Sequence, residues 1–189
     1  FGLRLTKIDK LITRHSFERA QEAITSIKKM KLSTEDQFGV QYREAQLLYR
    51  KGEYDKAIKI FKKLGQRYTG LQNVDYQKWL ARSYSAKGEA DAAVAIYQNL
   101  ANQYQSRSTG RKALFKGAWL AFNGGQHSKA MKLFGLFLER YPRDQRAPDA
   151  YWYLGWNAYR LGDLPTAQGT LQKLREKFLF LVKRRRIIF

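Results

Sequence analysis

Apolar residues along this chain fall on one helical face and then return as a set. Ala57, Phe61 and Leu64 stand at i, i+4 and i+7, and the same stripe recurs at Ala93, Tyr97 and Leu100, at Ala130, Phe134 and Phe137, and at Ala167, Leu171 and Leu174. Such spacing places all three side chains on one side of an α-helix. Five residues before each of these alanines is a glycine (Gly52, Gly88, Gly125, Gly162), and seven before each glycine is a small residue (Ala45, Ala81, Ala118, Gly155). The glycine predicts the turn of a helix-turn-helix unit, and the small residue lets the first helix approach its partner closely. Phe17, Ala20, Ile24 and Ile27 fit the same frame, so a degenerate unit opens the chain, its first helix around Leu5 to Leu11 lacking both the small residue and the glycine.

The alanines Ala20, Ala57, Ala93, Ala130 and Ala167 are 37, 36, 37 and 37 residues apart. Units of this length bury their apolar faces only against neighbouring units, which predicts an all-α solenoid of about five helix pairs. The pairs are expected over 1–31, 34–69, 73–105, 110–142 and 147–178. Gly70-Leu-Gln-Asn73 and Gln105-Ser-Arg-Ser-Thr-Gly110 read as loops between units. Pro148 and Pro165 fit the first turns of helices and Pro142 the stop after one, because proline has no N–H to give a helix interior. The segment 179–189 breaks the repeat and is expected to be an irregular basic and apolar tail. It reads as an element docking on the last unit, as the end of an interrupted reading frame, or as a membrane-surface element.

Five such units use nearly all of the 189 residues and leave no room for a separate catalytic domain. With 44% apolar residues and 14% aromatic there is material for a continuous core. Thirty-six Lys and Arg against 16 Asp and Glu give a net charge of +20, which favours anionic partners: nucleic acid, membrane head groups, acidic proteins or anionic wall polymers. Absence of cysteine excludes disulfides, thiolate catalysis and the common structural zinc sites. No apolar run approaches the ~20 residues needed to span a bilayer, so the chain reads as soluble.

The order small residue, Gly, aromatic or apolar residue, Ala, large apolar residue resembles the tetratricopeptide repeat over roughly Leu5 to Phe178, most closely at Ala45, Gly52, Tyr54, Ala57, Phe61 and Leu64. The resemblance implies a right-handed superhelix. Between Ala113 and Leu174, the pairs Ala118-Trp119, Tyr141-Pro142, Tyr151-Trp152 and Leu154-Gly155 are similar to the superhelical, non-catalytic region of soluble lytic murein transglycosylases. They are also similar to periplasmic repeat domains of envelope assembly factors. That enzyme family's catalytic domain carries a Glu-Ser pair and none of the eight Glu residues here precedes Ser, so its active site would lie outside this chain.

In tetratricopeptide repeats the first helix of each pair lines the concave face. Groove positions then fall three before and one, four and five after the small residue. They are Tyr42, Gln46, Tyr49 and Arg50; Lys78, Arg82, Ser85 and Ala86; Phe115, Trp119, Phe122 and Asn123; Trp152, Trp156, Tyr159 and Arg160. This groove would be aromatic at one end and basic towards its middle. Rings of this kind stack on sugars, grip apolar peptide side chains or hold Arg; alternatively they pack against the next unit as core.

Lys56, Lys59, Lys62 and Lys63 read as a solvated helix face. His15 stands where the turn glycine would be and His127 opens a second helix, so both read as turn or first-turn residues, with no metal-ligand cluster, cofactor motif or catalytic constellation beside them. The expected function is a non-catalytic scaffold holding a protein segment or peptide in its groove, in the periplasm or cell envelope. The alternatives are a transglycosylase superhelical domain helping to bind peptidoglycan strands, a cytoplasmic location, and nucleic-acid binding, for which only the charge argues.

Overall fold

The computed structural model describes residues 1–67 and 72–184, with the side chains of 72, 73 and 179–184 excepted. Among the described residues the chain is all-helical, in ten helices: α1 (Gly2–Thr13), α2 (Phe17–Lys28), α3 (Thr34–Arg50), α4 (Tyr54–Arg67), α5 (Gln72–Lys87), α6 (Ala90–Gln103), α7 (Ser108–Asn123), α8 (His127–Arg140), α9 (Ala147–Arg160) and α10 (Leu164–Arg184). They form five successive pairs, as the repeat requires.

One turn joins both helices of every pair. At Gly52, Gly88, Gly125 and Gly162 the backbone has φ between 70° and 93°, and the next residue's N–H reaches back five residues, as Glu53 to Leu48 O and Asp163 to Ala158 O, both within 3.0 Å. This is a Schellman ending, in which a left-handed residue lets orphan carbonyls of the helix be satisfied. His15 adopts it too, at φ 58°, with Ser16 N–H donating to Leu11 O at 2.9 Å. The degenerate first pair therefore keeps the turn without the glycine, at the strain a side chain incurs there.

The linkers differ in part from the sequence reading. Ser108, Thr109 and Gly110 belong to the first turn of α7 rather than to a loop. The helix can start there because a Cβ on Gly110 would collide with the Tyr104 carbonyl. Gln72 and Asn73 open α5, while the rest of the expected loop, from Gly70 to Leu71, lies outside the described residues. Pro148 and Pro165 occupy first turns and Pro142 follows α8. In α10 the helix breaks at Phe178 (φ −130°, ψ 28°), where the repeat pattern ends. Helical backbone then resumes to Arg184, so the expected irregular tail is corrected for 179–184; residues 185–189 lie outside the described residues.

The chain divides into two compact units, Phe1–Ala93 and Val94–Phe189. In the first unit Ile8, Ile12, Ala20, Ile24, Ile27, Val40 and Leu47 form one buried cluster. Ile8 stands seven residues before His15, in the register of the missing small residue, and is fully buried. Ala57, Phe61 and Leu64 are also fully buried. Where α4 meets α5, a Cβ on Gly65 would lie 2.5 Å from the Tyr76 hydroxyl.

In the second unit α7, α8, α9 and α10 pack in chain order. Leu114, Ala118, Ala121, Ala130, Phe134 and Phe137 make the core, and Gly155 lets Leu171 approach to 2.9 Å of where its Cβ would be. Between α8 and α9, Asp144 accepts from Arg146 Nε at 2.8 Å and Nη2 at 2.9 Å. The guanidinium so fixed lies 5.3 Å from the ring centres of both Phe115 and Phe137. Hydrogen bonding to Arg146 holds the Asp144 carboxyl below the usual carboxylate range against the opposing effect of burial. Among the described residues no helix is long and apolar enough to cross a membrane.

Candidate partner-binding site

The expected groove residues meet three different fates. In the first unit they gather around a residue that the register count passed over, Trp79. Tyr49 meets its ring edge-on at 5.2 Å, Arg82 lies over it at 4.9 Å and Arg50 at 6.0 Å. Tyr42 packs on Phe61 of α4 at 6.0 Å. Burial above all, then the charge of Asp75, pushes its hydroxyl up to about 12, against a hydrogen bond from Trp79. Lys78 pairs with Asp75 at 3.2 Å. These rings are thus covered by the unit's own side chains, with Arg50 and Arg82 outermost.

In α7 the rings turn inward. Phe115 meets Phe134 at 5.6 Å and Phe137 at 5.3 Å, both edge-on, and Phe122 meets Tyr153 of α9 at 4.9 Å. Both therefore serve packing between helices. Trp119, between them in sequence, stays at the surface half-buried, with Lys116 Nζ 3.7 Å above its ring. That distance is a cation–π contact.

In α9 the rings stay outside. Trp152 and Trp156 stack at 6.2 Å with 21° between their planes, and Tyr159 continues the row at 5.8 Å. Trp156 is 39% exposed and Tyr159 57%. Leu161 and Leu164, across the Gly162 turn, are 45% and 58% exposed. Four of the seven exposed large apolar side chains among the described residues therefore fall within nine positions, a concentration that single surface hydrophobes do not show. Arg160 is exposed at the end of the row.

Counting from the small residue missed one position, two before it, which holds Trp79 and Tyr153. The signal was present as Trp79-Leu80-Ala81 and Tyr153-Leu154-Gly155, the same ring, leucine and small residue twice. A buried polar pair also escaped notice. Asn157, fully buried, donates to Tyr153 O at 2.6 Å and places Oδ1 2.9 Å from His127 Nδ1. With the amide nitrogen so engaged, the imidazole Nδ1 carries the proton and donates. His127 begins α8 and ties it to α9.

Two family models, each described as the tetratricopeptide repeat, match the chain over residues 48–116 and over residues 112–144 and 149–178. The chain belongs to the tetratricopeptide-repeat family. Solved structures agree on the fold. A protein of Podosopora anserina assigned as a kinesin light chain with nearly identical TPR-like repeats superimposes with a TM-score of 0.72 at 16% identity, covering 98% of this chain and 96% of that one. The protein MamA gives 0.67 at 18% identity, covering 100% and 99%. YrrB, a TPR protein with an unusual peptide-binding site, gives 0.63 at 17%, covering 92% and 84%. A comparison with curated protein sequences finds no match. The tetratricopeptide fold is one that serves as a protein-interaction scaffold and is typically non-catalytic.

Proposed function

We propose that this tetratricopeptide-repeat protein is a scaffold that holds a segment of a partner protein against the wall formed by α7 and α9 of its second unit. The observation that carries the reading is the row Trp152, Trp156 and Tyr159, in which the half-buried Trp152 is continued by the exposed faces of Trp156 and Tyr159. The segment is acidic as well as apolar: α7 carries no acidic residue and α9 only Asp149, against Arg111, Lys112, Lys116 and Arg160. Charges so arranged steer an acidic chain to the wall. A peptide-binding site in YrrB supports the same class of ligand. The setting we propose is the bacterial cell envelope, supported by the likeness of Ala113 to Leu174 to envelope repeat proteins.

The near-parallel indoles of Trp152 and Trp156 favour one second reading, stacking on the sugars of a peptidoglycan strand. One experiment addresses both. Acidic peptides bearing aromatic or aliphatic residues, and purified glycan strands, are titrated against the wild type and a Trp119→Ala, Trp156→Ala double variant. The peptide reading expects peptide affinity to fall roughly a hundredfold in the variant, two ring anchors being lost. Binding of glycan alone would replace it with the second reading, and equal binding by both proteins would remove the site.

A further inference from the structure

Four basic side chains line one side of α4. Lys56, Lys59, Lys63 and Arg67 follow one another at steps of three, four and four residues, which keeps them within about 80° of the helix circumference and spreads them over about 16 Å of its length. All four are exposed. The repeat does not require them: at the same positions counted from the buried alanine, α6 has Ala92, Ala95, Asn99 and Gln103, and no other pair is basic at all four. The carboxylates beside the stripe are already engaged. Glu53 accepts from Lys56 at 2.5 Å, and Asp55, the one acidic residue of α4, pairs with Lys87 at 2.6 Å. Lys59, Lys63 and Arg67 have no carboxylate at ion-pair distance among the described residues. Lys62 flanks the stripe, 5.5 Å from the centre of the Tyr84 ring.

Nothing apolar accompanies this charge. Ala57, Phe61 and Leu64 are fully buried and Ile58 nearly so, and none of the exposed large apolar side chains among the described residues belongs to α4. A membrane-surface helix needs an apolar face to set among acyl chains. A protein interface draws most of its affinity from desolvated anchors, largely aromatic, and single strands of nucleic acid are held by rings on which bases stack. What a bare row of cations suits is the backbone of a duplex, where about one negative charge per 1.7 Å makes release of counterions the driving force.

We infer that the face of α4 formed by Lys56, Lys59, Lys63 and Arg67 is a docking surface for the phosphate backbone of double-stranded nucleic acid, bound without regard to sequence. Phosphate contacts of this kind position a duplex and read none of its bases. The surface lies in the first unit and does not depend on the wall proposed for the second.

The test uses the whole protein and labelled DNA and RNA duplexes in fluorescence anisotropy, from about 50 to 200 mM salt. Wild type is expected to bind both, since they share the phosphate, with affinity falling steeply as salt rises. A Lys59→Ala, Lys63→Ala, Arg67→Ala variant should bind roughly tenfold or more weakly at the lower salt, and its plot of log affinity against log salt should be shallower by about 2–3, three phosphate contacts being lost. Lys59→Arg with Lys63→Arg, which keep the charge, should stay within about twofold of wild type. A control of equal charge, Lys132→Ala, Lys173→Ala, Arg175→Ala, removes exposed cations of the second unit and should leave the slope unchanged.

Four results would overturn the inference. Absence of duplex binding by the wild type at the lower salt would remove the ligand. An equal loss in the control would show binding spread over the net charge of the whole chain. Binding that discriminates between duplex sequences would show contacts beyond phosphate. Phosphatidylserine vesicles or polyglutamate bound through the same three residues more tightly than duplex would make a lipid surface or an acidic protein segment the occupant.

Discussion

Phe122 and Tyr159 hold the same place in their helices, four residues after Ala118 and Gly155, and differ in what comes next. Phe122 closes on Tyr153 at 4.9 Å, while Tyr159 is more than half exposed. A second pair in matched register differs within its own unit: Phe115 is wedged between Phe134 and Phe137 of its partner helix α8, while Trp152, whose partner helix α10 has Leu171 and Leu174 at those positions, stacks on Trp156. A first-helix ring of this chain is covered where the next first helix brings a ring to meet it, and Tyr159, which no described residue covers in that way, is exposed. Register supplies the ring; the neighbour decides its use.

Phe134 gives the sharpest way to break this comparison, since it joins the covered rings, stacking on Tyr153 at 5.1 Å and meeting Phe115 edge-on. Phe134→Ala should cost about 3–5 kcal/mol, the amount typical of a fully buried ring, measured by denaturant unfolding. A cost near zero would mean that the α7 rings are not core. Trp156→Ala, by the same measurement, should cost less than a third as much.

Next in size is the Asp144–Arg146 clamp that presses a guanidinium on Phe115 and Phe137. Asp144→Asn should remove about 1.5–3 kcal/mol at pH 7, as for hydrogen bonds to charged groups. Because the Asp144 carboxyl is held low in the folded protein, its stabilisation is complete above the ordinary carboxylate pKa of about 4 and is lost as pH falls through the folded value. Unfolding of wild type and variant followed from pH 7 to pH 2 should therefore converge at the acid end. A constant gap would show that the carboxylate's charge is not what matters.

A smaller effect belongs to the first unit's turn. His15 takes a left-handed conformation that glycine occupies in the other four pairs, so His15→Gly should add about 0.5–1 kcal/mol, relief of side-chain strain exceeding the added freedom of the unfolded chain. Ring contact with Phe17, at 5.4 Å, opposes the gain. A loss on substitution would mean that this contact outweighs the strain.

Much of the architecture was legible because the physics behind it is local. Ala20, Ala57, Ala93 and Ala130 are fully buried and Ala167 nearly so, as the stripe demands, and the four turn glycines all have positive φ. The site was less legible. Counting from the small residue put Phe115, Trp119, Phe122 and Trp152 on equal terms, since cover by a later helix is a long-range fact. Trp79 was missed because it lies at the position that covers a preceding unit, and Asn157 because a polar side chain fully buried at 2.9 Å from His127 breaks the apolar pattern that defined the core. Gly110 read as a loop for want of knowing that the Tyr104 carbonyl sits against it.

The contrast between the two matched rings is tested most directly by truncating both and measuring stability side by side. Phe122→Ala should cost about 2–3 kcal/mol, or roughly 4–12 °C in melting temperature for a chain of this size. Tyr159→Ala should stay within about 0.5 kcal/mol of wild type, as substitutions at the surface do. Equal losses at the two positions would contradict the account, showing that Tyr159 is part of the core.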